Sequence, residues 1–135
     1  MNKANTNKGG YEESDLRRRL NGDILELFPE DMMDMMIPFE NGDLLRIPTE
    51  KEIFGKNKYG EPEGQHVKQW KPMRKRGNCL AFNDAEDQKT QWYWLINRYL
   101  RSTAYFVSVD SHGLVNYYEA SSCCWVRPVF KLKNC

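Results

Sequence analysis

The sequence contains no long hydrophobic run and carries little net charge. No apolar stretch approaches the roughly 18 residues that a membrane-spanning helix requires, and residues 1–10 are polar, without the apolar centre of a signal peptide. A formal net charge of +1 excludes a strongly basic DNA-coating protein and an acidic solvating chain. We therefore expect no membrane span, and a protein that is cytoplasmic, part of a virion, or exported as part of a larger protein.

Catalytic and metal-binding motifs are also lacking. No nucleophile elbow, Walker loop, H-E-x-x-H or dinucleotide-binding motif occurs. The adjacent Cys123 and Cys124 form no C-x-x-C, and neither histidine lies near a cysteine pair, so a zinc site is not expected. A catalytic base would have to be His66 or His112, and His112 falls in a predicted hairpin turn. We expect no enzyme, no cofactor, no metal, and thiols that are free or buried.

The composition predicts one packed domain. Hydrophobic residues make up 40% and aromatic residues 13% of the 135 residues, enough for a single core but not for two. Residues 1–10 are rich in Asn, Lys, Thr and Gly and predict a flexible arm. The remaining residues, 11–135, are expected to form the domain.

Helices are predicted in the first half of the chain. Ser14 is a suitable helix cap, and the apolar residues after it recur at helical spacing, with Asn21-Gly22 as a break and Pro29 as a stop. After a short predicted strand at 44–48, Thr49 and Glu52 form a capping box for a helix that ends at Gly55. The methionine cluster at 32–36 is expected to pack at a helix end or in the core.

Strands are predicted in the last third. Residues 105–109 and 114–118 are strand candidates joined by the turn Ser111-His112-Gly113, a probable hairpin. Residues 125–132 predict a closing strand, with Pro128 at an edge or bulge because proline cannot donate to a ladder. Helices followed by a small antiparallel sheet with long loops indicate an α+β fold.

Charge is distributed unevenly along the chain. Residues 1–63 hold nine Lys and Arg against fourteen Asp and Glu, whereas residues 64–135 hold eleven against five. The long irregular loops between Lys56 and Asp87 are the candidate ligand surface, since loops on a rigid scaffold carry recognition. The candidate ligand residues there are Glu61, Glu63, Lys68, Trp70, Lys71, Arg74 and Arg76. A solvated loop beside the acidic half is the alternative, and nucleic-acid binding is not favoured because no nucleic-acid motif accompanies the charges.

Four ordered motifs resemble a bacterial domain family of unknown function. Tyr11 to Asn21 matches its Y-x-x-S-x-L-R-x-x-L-N helix, and Leu45 to Phe54 resembles its L-P-T-x-x-E segment. The other two lie in the last third: an aromatic W-W-L-R-S-like stretch with Trp94 that leads through a valine-rich strand to the turn glycine, Gly113, and a closing V-R-P segment with Arg127 and Pro128. The resemblance covers residues 11–133, and each motif is weak alone.

The resemblance implies a C-type-lectin-like fold and a non-enzymatic binding module on a bacterial surface or phage-related protein, with a protein or a cell-envelope glycan as ligand. The alternative is a structural or assembly domain of a virion or surface complex. Family members carry strands before the first helix, so this chain resembles a domain lacking its first strands. That would leave the last strand's edge open to a homo-oligomeric or other partner.

Glu61-Pro62-Glu63 and the sequence at 82–84 partly resemble the calcium-binding motifs of sugar lectins, but calcium-dependent sugar binding is not favoured.

The core is expected to include Trp92, Trp94 and Trp125, because aromatic side chains bury a large surface area. Arg127 is expected to satisfy loop carbonyl groups through its planar fork.

Overall fold

A computed structural model describes residues 1–84 and 86–134; Ala85 in the candidate ligand loop and Cys135 lie outside the described residues. The fold is α+β, with helices first and small antiparallel sheets after them. The α-helices are α1 (Asp15–Arg19), α2 (Glu30–Met35) and α3 (Glu50–Phe54), and short 3-10 turns occupy Tyr11–Glu13, Leu25–Leu27, Lys71–Arg74 and Arg76–Cys79. The strands are β1 (Met36–Ile37), β2 (Ala81–Phe82), β3 (Thr90–Gln91), β4 (Tyr93–Arg98), β5 (Tyr105–Val109), β6 (Val115–Glu119) and β7 (Lys131–Leu132).

The first ten residues lie against the domain, where the sequence predicts a flexible arm. Asn7 is buried, and its side-chain amide donates to the carbonyl groups of Ser102 and Tyr105 at 2.7 and 2.9 Å. The backbone N–H of Asn2 donates to the carbonyl of Ala120 at 2.8 Å. The polar composition of this segment therefore supplies hydrogen bonds to backbone groups at one end of the sheet.

The helix signals in the first half are confirmed. The Ser14 side chain accepts a hydrogen bond from the Arg17 N–H at the start of α1. The chain kinks at Gly22, whose φ of −123° and ψ of −112° are not helical, and Pro29 separates this region from α2. Of the methionine cluster, Met36 is buried in the core and Met32 packs against it.

The capping box of α3 is also confirmed, and it carries an ion pair. Thr49 and Glu52 exchange both hydrogen bonds of the box, and Gly55 ends the helix with a φ of 80°, which glycine adopts without strain. Arg46 binds the Glu52 carboxylate with two parallel hydrogen bonds of 2.7 Å. The strand expected at 44–48 is wrong: Arg46 makes only an isolated bridge with Val129, because Pro48 and the start of α3 end the extended stretch.

A three-stranded antiparallel sheet, in the order β4-β5-β6, separates two apolar clusters. Trp94 and Phe106 face the larger cluster, which also holds Leu20 and Ile47. Successive side chains of a strand point to opposite faces, so neighbouring residues such as Val107 pack into the second cluster. The predicted hairpin is confirmed as β5 and β6, and their turn ends at Gly113, where φ is 75°.

The closing segment corrects two expectations. Only β7 is a regular strand, and the residues before it make isolated bridges, because Pro128 interrupts the ladder. Trp94 is buried as expected, but Trp125 is 51% exposed and therefore not a core residue. β7 pairs with β1 on one side and has no strand partner on its other side among the described residues, and β6 lies at an outer position of the central sheet.

Within the described parts of the chain, no helix has the length and apolar character that crossing a membrane requires.

Candidate functional site

A buried carboxylate fixes the loop that follows α3. Glu50 is completely buried, and its carboxylate accepts hydrogen bonds from the backbone N–H groups of Tyr59 and Gly60 at 3.0 and 3.1 Å. The Asn57 side-chain amide donates to the same carboxylate at 3.1 Å. Since all three donors belong to residues 57–60, the carboxylate closes this loop over the start of the helix.

A second carboxylate ties the same loop to the central sheet. Oε2 of Glu63 accepts from the Lys51 N–H at 2.9 Å and from the side-chain amides of Asn57 and Asn97 at 2.7 and 3.0 Å. Asn97 lies on β4, and its Oδ1 accepts from the Glu50 N–H at 2.8 Å. We call Glu50, Asn57, Glu63 and Asn97 the carboxylate–amide network. It joins α3, the loop and β4 through hydrogen bonds instead of ion pairs.

The two acidic candidates, Glu61 and Glu63, point in different directions. Glu63 is turned inward, and its Oε1 is buried with no hydrogen-bond partner among the described residues. Glu61 instead lies at the surface and pairs with Arg98 of β4. No group of three or more potential ligands among the residues that the structure describes is arranged to hold a metal ion. Glu61-Pro62-Glu63 resembles a calcium motif in sequence, but the carboxylates of Glu61 and Glu63 do not face a common point.

Four tyrosine rings cluster at the end of the sheet beside this loop. The rings of Tyr99 and Tyr117 stack with centroids 4.2 Å apart and an interplanar angle of 16°. Tyr59, from the loop, meets Tyr117 edge-on at 5.3 Å, and Tyr105 lies 5.8 Å from Tyr117. Tyr117 remains 37% exposed, so the cluster presents ring surface to solvent.

An open groove of about 590 Å³ adjoins this cluster at Tyr99. Its lining residues are Asn7, Glu61, Arg98, Tyr99, Leu100, Arg101, Ser102 and Thr103. Leu100 is 64% exposed, and Arg101 is exposed. We call this groove, together with the four clustered rings, the tyrosine groove. It combines exposed aromatic surface with hydrogen-bonding side chains of both charges.

The five other candidate ligand residues lie elsewhere. Lys68, Lys71, Arg74 and Arg76 are exposed, and Arg76 donates to the carbonyl of His112 in the β5–β6 turn. That turn is at the opposite end of the sheet from Tyr105, which pairs with Glu119. Trp70 is half-buried and packs against the second apolar cluster. The structure therefore divides the predicted ligand loop into two separate surfaces.

The structural motif residues have architectural contacts. Arg127 donates to the carbonyl of Asn78 at 3.1 Å and to the Tyr93 hydroxyl at 3.2 Å, the role that its planar fork predicts. Burial raises the pKa of Tyr93 to about 12, although the nearby guanidinium favours the ionised phenol. At Gly113, a Cβ would lie 3.3 Å from the Leu80 Cδ2 and 3.4 Å from the Arg76 carbonyl oxygen, so the turn fits tightly against these residues.

The cysteines offer no activated nucleophile among the described residues. Cys79, Cys123 and Cys124 are free thiols. Burial raises the pKa of Cys79, and it raises the pKa of Cys124 to about 12 despite the nearby amino terminus. A raised pKa keeps a thiol protonated at neutral pH and lowers its reactivity.

This difference predicts selective alkylation. At about pH 8, iodoacetamide is expected to modify the exposed Cys123 at least about tenfold faster than Cys124 in the folded protein, because Cys124 is mostly protonated and partly covered. Peptide mass spectrometry over time measures both rates. In denaturant the two rates should become similar. Equal rates in the folded protein would contradict the described burial of Cys124.

No local pattern in the sequence singles out the tyrosine groove. A signal is present, since the chain contains seven tyrosines and three of them lie at the ends of strand candidates. The strand register brings Tyr105 and Tyr117 to one face of the sheet. Tyr117 of β6 lies opposite Val107 of β5, and Val107 is on the same face of β5 as Tyr105. The bridge between Gly60 and Tyr99 places the loop residue Tyr59 beside Tyr99, the residue that stacks on Tyr117.

Together, these features define a small α+β domain with an open groove beside a cluster of tyrosine rings. The chain belongs to the family described as domain of unknown function DUF6273, whose model matches residues 1–134. No curated protein matches the chain, and no solved structure does.

Proposed function

We propose that the protein is a non-catalytic binding module that takes a saccharide chain in the tyrosine groove. The observation that carries this proposal is that a groove lined by charged side chains adjoins, at Tyr99, a cluster of tyrosine rings. Tyrosine supplies large, rigid contact area with a polar tip, at a low entropy cost. A saccharide presents C–H faces that pack on such rings and hydroxyl groups that bond to Arg98, Arg101 and Glu61.

The carboxylate–amide network supports this proposal. Residues 57–63 bring Tyr59 and Glu61 to the groove, and the network holds the backbone between them without a ligand. A surface that is ordered before binding loses less conformational entropy on binding. The module's setting on a bacterial surface or phage-related protein, and its C-type-lectin-like fold, belong to the same proposal and follow from the sequence resemblance.

The alternative of an assembly domain has less support. Strand pairing with a second copy would use the outer edge of β6. The Tyr117 N–H already donates to the Asn116 side-chain oxygen at 2.8 Å, and the Glu119 carbonyl accepts from the Ser122 N–H at 2.9 Å. Such local bonds protect an edge strand from pairing. The proposal is therefore a module that binds a ligand as a single chain.

An array of glycans and cell-wall fragments tests the proposal. The purified protein is expected to bind a saccharide equally well with calcium and with a chelator, because Glu63 is engaged inside the network. Calcium-dependent binding would contradict the proposed mode of recognition. Binding only to protein probes, or to no probe, would contradict the proposed ligand class.

Groove variants locate the binding. Replacing Tyr99 and Arg101 together by alanine is expected to weaken binding to the array ligand at least about tenfold, about 1.4 kcal/mol, because Tyr and Arg dominate binding energy. The matched control replaces Trp125 and Arg19, an exposed aromatic and an exposed arginine outside the groove, and should bind normally. Equal losses in both double variants, each folded by circular dichroism, would place the ligand elsewhere.

A further inference from the structure

The segment before β2 presents positive charge without any compensating negative charge of its own. Residues 64–82 contain five Lys and Arg and no Asp or Glu. These five cations are exposed at the surface. We call them the basic segment: Lys68, Lys71, Arg74, Lys75 and Arg76.

The basic segment differs from the other arginine-rich parts of the molecule. Ion pairs within the described chain use Arg17, Arg18, Arg19, Arg46 and Arg98. No side chain of the basic segment takes part in an ion pair with a described residue. These cations therefore remain available to an anion from outside the chain.

The backbone of the basic segment is held in a defined shape. The Trp70 N–H donates to the carbonyl of Glu52 at 2.9 Å, and the Gln69 side-chain amide donates to the carbonyl of Ile53 at 2.9 Å. Within the segment, the Asn78 side chain bonds to the carbonyl of Pro72 at 2.8 Å. The two 3-10 turns are thus anchored on α3 and on each other, so the cations occupy a shaped surface.

Neighbouring elements extend the positive surface. Arg127 reaches the carbonyl of Asn78 at the end of the second turn, and Arg76 reaches the carbonyl of His112. Both guanidinium groups bind backbone carbonyls, which leaves their charge uncompensated. The positive charge therefore extends from the basic segment to Arg127 of the closing segment.

We propose that the basic segment is a docking surface for a linear, base-free phosphodiester polymer. A row of exposed cations complements a chain that carries one negative charge per repeat, and binding to it releases counterions. Arginine forks match the geometry of phosphate oxygens. Trp70, the one aromatic residue between Lys68 and Arg76, packs inward against the second apolar cluster and near Arg46, so the basic segment itself places no exposed ring among its cations for a nucleobase to stack on.

This surface is separate from the tyrosine groove. Arg76 lies at the β5–β6 turn, and the tyrosine groove begins at the other end of β5, about 13 Å away along five residues of strand. The docking proposal therefore goes beyond the proposed saccharide binding and does not rest on it.

The test uses fluorescent poly(glycerol phosphate) as the probe and measures affinity against salt concentration. Between about 50 and about 200 mM salt, we expect the affinity to fall about 100-fold if about five phosphates are neutralised. Replacing Arg74, Lys75 and Arg76 together by glutamine should weaken binding at least about tenfold and flatten the salt dependence. The matched control replaces Lys3, Lys8 and Lys56, three exposed lysines elsewhere, with glutamine and should keep most of the affinity.

The other outcomes overturn the proposal. Absence of binding at low salt would remove the docking surface, and equal losses in both triple variants would reduce it to an effect of net charge. Tighter binding of a single-stranded oligonucleotide than of poly(glycerol phosphate) would assign the surface to nucleic acid. Equal binding of polyglutamate would contradict recognition of phosphate. Saccharide binding in the groove, measured on the same triple variants, should be unchanged, which separates this test from that of the proposed function.

Discussion

Replacing Glu50 by glutamine is expected to lower the free energy of unfolding by about 3 kcal/mol. The carboxylate receives three hydrogen bonds, two from backbone N–H groups and one from Asn57. A glutamine at this buried position carries one NH2 group, which would face donors and leave at least one of them unsatisfied. The loss of negative charge also weakens the remaining hydrogen bonds, since bonds to charged groups are the stronger ones.

Urea denaturation followed by circular dichroism measures this loss. The control is Glu26→Gln, because Glu26 is exposed, and surface substitutions usually change stability by less than about 0.5 kcal/mol. If Glu50→Gln and Glu26→Gln were equally stable, the carboxylate would not hold the loop and the carboxylate–amide network would have no structural importance.

The second large effect is expected from Gly60→Ala. A Cβ at this position would lie 2.5 Å from the Asn97 Cβ and 3.0 Å from the Val107 Cγ2. Both neighbours belong to the central sheet and are buried, so neither moves without disturbing β4 or β5. Overpacking of this kind costs about 2 to 3 kcal/mol. The same substitution should weaken saccharide binding, because it displaces Tyr59 and Glu61 from the tyrosine groove.

Gly77→Ala is the matched control. A Cβ at Gly77 would meet no atom within 4 Å, so its melting temperature should stay within a few degrees of the wild-type value. A domain of this size is expected to lose roughly 5 to 10 °C in melting temperature with Gly60→Ala. An unchanged melting temperature for Gly60→Ala would show that the loop does not approach β4 as closely as described.

Local features of the fold were predictable from the sequence because their determinants lie within a few residues of each other. The Ser14 cap, the Thr49–Glu52 capping box and the turn at Gly113 each depend on side chains and backbone groups no more than one turn apart. The α+β class followed from the same local signals, since helix caps cluster in the first half and strand patterns in the last third.

The candidate site was not predictable in the same way. Asn97 reaches Glu50 and Glu63 across 47 and 34 residues of chain. No local pattern marks an asparagine in a strand as the partner of two distant carboxylates, and a glutamate in a capping region is normally exposed. The sequence therefore predicts equivalent loop positions for Glu61 and Glu63, whereas in the structure Glu61 lies at the surface and Glu63 is turned inward.

The aromatic residues show the same limit. Trp94 and Trp125 occupy similar apolar, strand-like surroundings in the sequence, but only Trp94 is buried. Trp94 lies within the sheet, whereas Trp125 joins the outer side of β4 through an isolated bridge with Tyr93. Burial depends on whether a second layer covers the strand, which is a property of the tertiary structure and not of the strand itself.

The central claim is that the carboxylate–amide network holds a binding surface in place before any ligand arrives. Hydrogen exchange of the Tyr59 and Gly60 backbone amides, measured by NMR on the free protein, tests it most directly. Both N–H groups donate to the buried Glu50 carboxylate, so we predict that they exchange as slowly as amides of β5 and accelerate strongly in Glu50→Gln. Exchange in the free protein as fast as in an exposed loop would contradict the claim, because the tyrosine groove would then form only on binding.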